Sequence, residues 1–370
     1  MTESEAMAVL ISAQSISYGQ LEQALTMTGS AISLLADPHV CESTLGTQGI
    51  ASLRAALKRS ERMLDRLYES GVHLITREDA CYPSRLRHTA RPPQLLFCLG
   101  EKQLDDPMPI AIVGTRRADS YGIRHTKRIA RELAEKGACI VSGLALGVDA
   151  AAHCGALDAK GRTIAVLGGA LDKLYPEENR KLMERILENG GSIVSEYPPG
   201  VAPTRYSFVQ RNRIVAGMSL GVLVTQAPHK SGALSTANYA LEEGREVFAM
   251  PGDIDRFGSQ LPNKLIGEGA RPVVCAQDIL QLMTAEPQRQ DKRKKTAEQP
   301  QQIAMRPSAP ARTLDADERR IYDQLLAGDL DFDALSERTG MSGEALGSAL
   351  MLLELDGIIE ALPGPAYRLT

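Results

Sequence analysis

Several features that define common protein classes are missing from this chain of 370 residues. Its six cysteines are scattered and form no CxxC pair, which argues against both a structural zinc site and a disulfide framework. No apolar run approaches the ~20 residues that a membrane-spanning helix requires, and the N-terminus has no secretory signal pattern. We therefore expect a cytoplasmic protein with reduced thiols, no metal and no contact with a membrane.

The familiar nucleotide-binding fingerprints are also missing. Nothing matches the GxxxxGK[ST] phosphate loop, and Gly114-Thr115-Arg116 lacks the second and third glycines of the GxGxxG motif. NAD and ATP are therefore disfavoured, and no cofactor is expected.

Charge is distributed unevenly along the chain. Residues 313–370 contain 12 acidic and 4 basic residues, a net charge of −8, whereas the whole chain has a net charge of only −4. The remaining residues are therefore mildly basic, with a net charge of +4. This asymmetry predicts a basic body, suited to an anionic partner, followed by an acidic C-terminal domain.

The composition predicts four segments. Residues 1–80 form a helical module, which could be of the SAM or helix-hairpin-helix type, and residues 81–285 form an extended Rossmann-like domain. Residues 286–312 are rich in Gln, Pro, Lys and Arg, which is typical of a flexible linker. Residues 313–370 are expected to form a winged helix.

The central segment alternates short apolar runs with amphipathic helical patterns. The predicted strands are Leu95–Leu99, Ile110–Val113, Cys139–Val141, Thr163–Leu167, Ser192–Ser195, Gly221–Thr225, Glu246–Ala249 and Pro272–Val274. The predicted helices between them include Ile123–Lys136, Glu177–Asn189, Tyr206–Ala216 and Ala233–Glu243. Strands without polar alternation, joined by helices, indicate an α/β fold whose parallel sheet is covered on both faces.

The C-terminal pattern predicts three helices followed by a wing. The helices are Leu314–Leu326, Phe332–Arg338 and Ser342–Asp356, and the wing is a hairpin of Ile358–Ala361 and Tyr367–Leu369 around Pro-Gly-Pro. In a winged helix that reads duplex DNA, the third helix enters the major groove. Here it contains no Lys or Arg, so we predict a protein-interaction or dimer-stabilising module without intrinsic affinity for DNA.

Gly-containing turns follow five of the predicted strands. They lie at residues 114–117, 142–147, 167–170, 225–232 and 251–253. A doubly wound sheet would gather these turns along one edge, which is where such folds bind ligands. Glycine also serves ordinary turns, but five such turns at one edge favour a site for an anion.

Cations and aromatic rings accompany these turns. The candidate anion-binding side chains are Arg116, Arg117, Arg180, Lys181, Arg211, Asn212, Arg213 and Lys230. The aromatic residues nearby are Tyr121, Tyr175, Tyr197, Tyr206 and Phe208. Positive charge for phosphates and rings for base stacking suit single-stranded DNA. For Arg213, a salt bridge between neighbouring helices is the alternative.

No catalytic apparatus can be assembled from the sequence. Asp149 and His153 have helical spacing but no third ligand or neighbouring nucleophile, and Asp172 and Glu196 have no water-activating partner. We therefore expect a binding protein rather than an enzyme.

The central motifs resemble those of the DNA-processing protein A family (DprA, also called Smf). The resemblance is carried by VGTRRADSYG (113–122), SGLALGVDAAAH (142–153), LGGALDKLYPEENRKL (167–182), SEYPPG (195–200), FVQRNRIVAG (208–217), SGALSTANYAL (231–241), GREVFAMPG (244–252) and NKLIGEGA (263–270). The three-part layout of helical module, Rossmann domain and winged helix is similar as well.

This resemblance implies a homodimeric protein that binds single-stranded DNA. It implies that the protein helps load the RecA recombinase onto that DNA, overcoming single-strand-binding protein, in recombination and natural transformation. The pocket positions implied by the family are Gly114, Thr115, Arg116, Arg180, Lys181 and Arg211.

Two alternatives stay open at this point. A related Rossmann enzyme that hydrolyses nucleoside monophosphates uses a glutamate in a PGGxGTxxE segment, but residues 231–239 here contain no carboxylate. A nucleotide-sensing regulator that binds duplex DNA would use the winged helix, against which the acidic third helix argues.

Overall fold

The computed structural model describes residues 1–13, 15–283, 314–326, 328–361 and 366–369. The predicted linker at 286–312, and the Pro-Gly-Pro turn of the predicted wing, lie outside the described residues. The chain divides into two compact units, Met1–Glu286 and Pro287–Thr370. Among the described residues, no helix combines the length and apolarity needed to cross a bilayer.

The first unit contains thirteen helices and nine strands in the part of the chain that is described. The helices are α1 (Glu3–Ile11), α2 (Tyr18–Thr28), α3 (Ala31–Ala36), α4 (Glu42–Leu57), α5 (Ser60–Glu69), α6 (Ser84–Arg87), α7 (Ser120–Glu135), α8 (Val148–Asp158), α9 (Arg180–Glu188), α10 (Arg205–Met218), α11 (Gly232–Glu242), α12 (Gln260–Gly267) and α13 (Ala276–Met283). The strands are β1 (His73–Thr76), β2 (Leu95–Gly100), β3 (Pro109–Val113), β4 (Cys139–Ser142), β5 (Thr163–Val166), β6 (Ser192–Ser195), β7 (Gly221–Val224), β8 (Glu246–Ala249) and β9 (Arg271–Pro272).

These strands form one sheet with the order β1-β2-β6-β5-β4-β3-β7-β8-β9. The run from β6 to β9 is parallel throughout, which confirms the predicted α/β fold with a parallel core. The sheet is not wholly parallel, however, because β2 pairs antiparallel with both β6 and β1. The direction of β2 does not follow from its sequence, since an apolar run reads the same in either orientation.

Strand β3 shows why the core strands are continuously apolar. Ile110 and Ile112 pack into the core on one face of the sheet, whereas Ala111 and Val113 pack into the core on the other face. Successive side chains of a strand point to opposite faces, so a strand covered on both sides needs apolar residues at every position.

The N-terminal helices α1–α5 pack on the edge of this sheet. Their apolar cluster includes Leu95 and Phe97 of β2, so the helical module and the sheet share a core. A polar connection adds to it, because the Glu22 carboxylate accepts hydrogen bonds from the Tyr18 hydroxyl (2.8 Å), the Arg77 guanidinium (2.9 Å) and the Gln94 amide. The first strand of the sheet, β1, therefore lies within the segment assigned by composition to the helical module.

The second unit has the predicted winged-helix architecture. Its elements are α14 (Ala316–Leu325), β10 (Leu330–Asp331), α15 (Phe332–Thr339), α16 (Gly343–Leu355), β11 (Ile359–Ala361) and β12 (Ala366–Leu369). The strands form a three-stranded sheet in the order β10-β12-β11. The Ser342 hydroxyl accepts a hydrogen bond from the Ala345 amide (3.3 Å), so Ser342 is the N-cap of α16.

Candidate nucleic-acid interface

The predicted site lies next to β3, where successive strands stop being added on one side of the sheet and begin to be added on the other. From β3 the chain moves outward through β4, β5 and β6, and then returns to place β7 on the other side of β3. The turns after β3 and β7 meet there, because the Thr115 amide donates to the Gln226 carbonyl (2.7 Å). In doubly wound sheets this switch point, at the carboxyl ends of the strands, is the usual ligand-binding crevice.

Two glycines allow the Arg116 turn to pack closely against its surroundings. A Cβ at Gly114 would lie 2.6 Å from a methyl carbon of Val148. Gly147 has φ +76°, and a Cβ there would lie 2.8 Å from the carbonyl carbon and oxygen of Arg116. The main chain of residues 114–117 is therefore held tightly against the loop that begins α8.

Arg116 projects from this turn as an exposed cation supported by aromatic rings. Its guanidinium carbon lies 4.7 Å from the centre of the Phe208 ring and 6.0 Å from that of Tyr175. The two rings are themselves 5.8 Å apart, and Tyr175 is 52% exposed. Within the described part of the chain, Arg116 forms no ion pair with a carboxylate, so its charge is available to an incoming anion.

Further exposed cations surround this group. Arg117 neighbours Arg116 in the same turn, and Lys181 lies in the first turn of α9. Two cations that the sequence did not single out, Lys173 and Arg205, are also exposed. Their positions could have identified them, since Lys173 precedes Tyr175 by two residues and Arg205 precedes Phe208 by three, the spacing of neighbours on a helix surface.

Arg211 occupies a different environment from the one predicted for it. It is only 4% exposed, and its guanidinium donates to the Gly143 carbonyl (2.8 Å) and to the Val166 carbonyl. Burial lowers the pKa of Arg211, while the charge of Asp149 opposes that shift. Arg211 therefore ties the ends of β4 and β5 to α10 beneath the surface, and this geometry supports a structural role rather than direct contact with phosphate.

Asn212 and Arg213 also have partners within the protein. The Asn212 amide donates to the Gly232 carbonyl (3.1 Å) and the Ser235 hydroxyl (2.9 Å), which connects α10 to α11. Arg213 forms an ion pair with Glu196 and donates to the Arg91 carbonyl (2.8 Å). For Arg213 the structure favours the salt-bridge alternative over a contact with a ligand.

The remaining predicted cations lie on the surface. Arg180 forms a two-pronged ion pair with Glu177, with distances of 2.6 and 2.9 Å, which reduces its availability to phosphate. The pairing lowers the pKa of Glu177 and raises that of Arg180. Lys230 is exposed in the turn before α11.

Asp149 and His153 lie beneath the site rather than at its surface. The Asp149 carboxylate accepts from the amides of Gly143 (3.1 Å) and Ala145 (3.4 Å), and burial raises its pKa. The His153 ring places Nδ1 2.7 Å from the Thr163 hydroxyl, and burial lowers its pKa to about 3. Asp149 thus holds the turn after β4, whereas His153 connects α8 to the start of β5. Over the described ranges, no three His, Cys, Asp or Glu residues are grouped to hold a metal ion.

Comparison with known proteins gives matches over both units. A family model described as DNA recombination-mediator protein A matches residues 73–284, and a model of the DprA winged helix domain matches residues 305–365. The chain is 38% identical to protein Smf of Escherichia coli over 322 residues, which cover 84% of this chain and 81% of that protein.

Two solved structures are similar to this one. The X-ray structure of DNA processing protein A from Streptococcus pneumoniae matches with a TM-score of 0.66 and 33% identity, covering 76% of this chain and 98% of that one. A Helicobacter pylori DNA processing protein A, whose structure concerns its single-stranded DNA binding mode, matches with a TM-score of 0.52 and 37% identity, covering 58% and 97%.

Proposed function

The chain belongs to the DNA recombination-mediator protein A family, the DprA or Smf proteins, and from this premise we propose that it binds single-stranded DNA at the strand-end site around Arg116. The observation that carries the proposal is the exposed Arg116 guanidinium, stacked against Phe208 and Tyr175 and without an acidic partner among the described residues. Single strands present both phosphates and unstacked bases, so they match a cation flanked by rings. Duplex DNA keeps its bases stacked on one another, so few base faces are free to stack on the rings of Tyr175 and Phe208.

The exposure of each side chain indicates its proposed role in the site. Arg116, Arg117 and Lys181, together with Lys173 and Arg205, would contact phosphates, whereas Tyr175 and Phe208 would stack on bases. Gly114 and Thr115 would approach the strand with their main chain. Arg211, Asn212 and Arg213 would hold the helices and turns in place.

The biological role follows from the family. We propose that the bound strand is passed to the RecA recombinase in competition with single-strand-binding protein, with the protein acting as a cytoplasmic homodimer. The family description as a recombination mediator supports this role, and the Helicobacter pylori relative supports the choice of single-stranded DNA. The role requires no catalytic group.

The direct test is fluorescence anisotropy with a poly-dT oligonucleotide and a duplex of equal length, over a series of salt concentrations. We expect tighter binding of the single strand, weakening as salt rises because counterions are released from phosphates. Arg116→Ala should lower single-strand affinity by about tenfold to a hundredfold, since a charge-assisted hydrogen bond contributes about 1.5–3 kcal/mol. Equal affinity for both DNA forms, together with no effect of Arg116→Ala, would overturn the proposal.

A further inference from the structure

The N-terminal module carries a second group of exposed cations, on the helices α4 and α5. They are Arg54, Lys58, Arg59, Arg62 and Arg66. Within the described residues, none of the five forms an ion pair with a carboxylate. Other surface arginines are paired four residues along their helices, as in Arg128–Glu132 and Arg131–Glu135, whereas the five cations of this group are not.

The arrangement on α5 separates charges of opposite sign. Its buried side is formed by Ser60, Leu64 and Leu67. Arg59, Arg62 and Arg66 follow one another at intervals of three and four residues, so they form a stripe along one flank, which we call the arginine stripe. Glu61, Asp65 and Glu69 lie at the same spacing on the neighbouring flank, but in the described structure none of them forms an ion pair with the stripe. Like charges at this spacing repel one another, so an anion bound to the stripe would relieve that repulsion.

The arginine stripe belongs to a helix that leads directly into the edge strand of the sheet. Only Ser70, Gly71 and Val72 separate α5 from β1. Strand β1 has the direction of β6, because both are antiparallel to β2. The stripe and the strand-end site therefore belong to the same sheet-based unit.

Apolar packing connects α5 and a loop of the site to one core. Met63 of α5 and Leu171, in the loop after β5, pack against the same apolar cluster. Leu171 precedes Lys173 and Tyr175 by two and four residues. The helix that carries the stripe and the loop that carries Tyr175 therefore rest on a shared apolar core.

We propose that the arginine stripe is a second phosphate-binding surface, which holds the backbone of the single strand where it continues beyond the strand-end site. The inference rests on the proposed function, because it concerns the same strand. It assigns Arg59, Arg62 and Arg66 to phosphate contacts, without base recognition. The helical module then extends the length of DNA that the protein covers.

The test compares two thymidine oligonucleotides with the triple variant Arg59→Gln/Arg62→Gln/Arg66→Gln of the full-length protein. One oligonucleotide has about 6 nucleotides, within the range of a single-domain site, and the other has about 30. We expect affinity for the long strand to fall about tenfold at low salt, and its salt slope to fall by about 2, because each phosphate contact on a single strand contributes about 0.7. Affinity for the short strand should be unchanged.

A matched control removes three exposed charges that lie near the amino ends of the parallel strands, whereas the strand-end site lies at their carboxyl ends. Arg131→Gln, Lys136→Gln and Arg185→Gln alter the carboxyl-terminal parts of α7 and α9, or the residue that follows α7. This variant should bind the long strand about as well as the unmodified protein does. Circular dichroism and thermal unfolding of each variant verify that the fold is retained.

The outcomes separate the two proposals. Unchanged binding of the long strand by the stripe variant, or an equal loss in the control variant, overturns the second surface while leaving single-strand binding intact. An equal loss for the short strand also overturns it, because the stripe would then not be a separate surface. Failure of the unmodified protein to bind either strand overturns both proposals.

Discussion

Arginine has two physically different roles around the strand ends. Arg116 is exposed and rests against aromatic rings, whereas Arg211 is buried and donates to main-chain carbonyls. A buried guanidinium is stabilised by the groups around it, and Asp149 supplies the compensating charge. The same residue type therefore stabilises the fold at position 211, whereas at position 116 we propose that it binds the ligand.

Replacement of Arg211 by methionine should mainly lower stability. The change leaves the Gly143 and Val166 carbonyls without this donor and leaves the buried Asp149 with only the weaker effect of the Arg116 charge. We expect the free energy of unfolding of the first unit to fall by about 3 kcal/mol, as measured by urea denaturation. Arg116→Ala, which alters an exposed side chain, should change it by less than about 0.5 kcal/mol.

A double variant makes this prediction sharper. Asp149→Asn removes the buried carboxylate, so its combination with Arg211→Met should cost less than the sum of the two single changes. If Arg211→Met instead leaves stability unchanged and weakens DNA binding as much as Arg116→Ala, Arg211 is a phosphate ligand after all.

The burial of His153 predicts a dependence of stability on pH. Burial, with a contribution from Arg211, lowers the pKa of His153 from 6.5 to about 3. The native state therefore resists protonation, and this contribution to stability is complete above pH ~6.5 and is lost as pH falls toward ~3. At pH 5 the loss amounts to about 2 kcal/mol.

His153→Gln isolates that contribution, because glutamine can still form a hydrogen bond with Thr163 but does not titrate. Urea denaturation at pH 7.5 and pH 5 should show a decline in stability about 2 kcal/mol smaller in the variant than in the unmodified protein. Replacing the exposed His229 by glutamine serves as the control and should leave the decline unchanged. An identical decline in the His153 variant would contradict the burial argument.

Sequence patterns predicted the surface part of the site better than its interior. Arg116 could be predicted because its environment is local, a turn directly after a buried strand. The fate of Arg211 depends on carbonyl groups 68 and 45 residues away in the chain, so its neighbouring residues carried no signal of burial. Arg213 had the same limitation, since its partner Glu196 belongs to a different loop.

At the level of secondary-structure elements, the loop between β4 and α8 controls the shape of the Arg116 turn. Gly147→Ala would place a methyl group against the Arg116 carbonyl and force a positive φ on alanine. We expect a loss of stability of about 2 kcal/mol and a decrease in single-strand affinity of about tenfold or more, because the turn must shift. Anisotropy and urea denaturation measure the two effects.

Gly137→Ala is the matched control for that change. Gly137 has φ +84°, but nothing lies within 4 Å of the position that its Cβ would take. It also precedes β4, so it lies at the other end of that strand from the turn at residues 142–147. Gly137→Ala should lose stability through backbone strain but retain its affinity for single-stranded DNA. If both variants lose affinity to a similar extent, the loss is caused by instability of the protein and not by a change in the shape of the Arg116 turn.

The predictability of the strands depended on their place in the sheet. The central strands β3, β4 and β7 are buried at every position and apolar except at Ser142, because both faces are covered, so the sequence pattern identified them. Strand β1 was missed because it is a short edge strand with exposed His73 at its start. Strand β1 joins the sheet by pairing with β2, and the sequence around residues 73–76 carries no pattern that predicts this pairing.

At the level of the whole molecule, acidic charge is concentrated at residues 313–370. The residues proposed to contact DNA all belong to the first unit, whereas residues 313–370 of the second unit carry a net charge of −8. Helix α16, at the position of a recognition helix, contains no Lys or Arg. Phosphates would be repelled by this unit, so we expect it to contribute nothing to DNA affinity.

Truncation after Arg312, which removes the acidic residues 313–370 and keeps the basic segment before them, tests whether DNA binding belongs to the first unit alone. The shortened protein should retain single-strand affinity within about twofold at physiological salt, and should bind slightly more tightly at low salt because a negative field has been removed. Isolated residues 313–370 should show no salt-sensitive binding to duplex DNA by anisotropy. A tenfold loss of single-strand affinity on truncation would place part of the DNA site in the acidic unit, and the proposed separation of DNA binding from the winged helix would then be wrong.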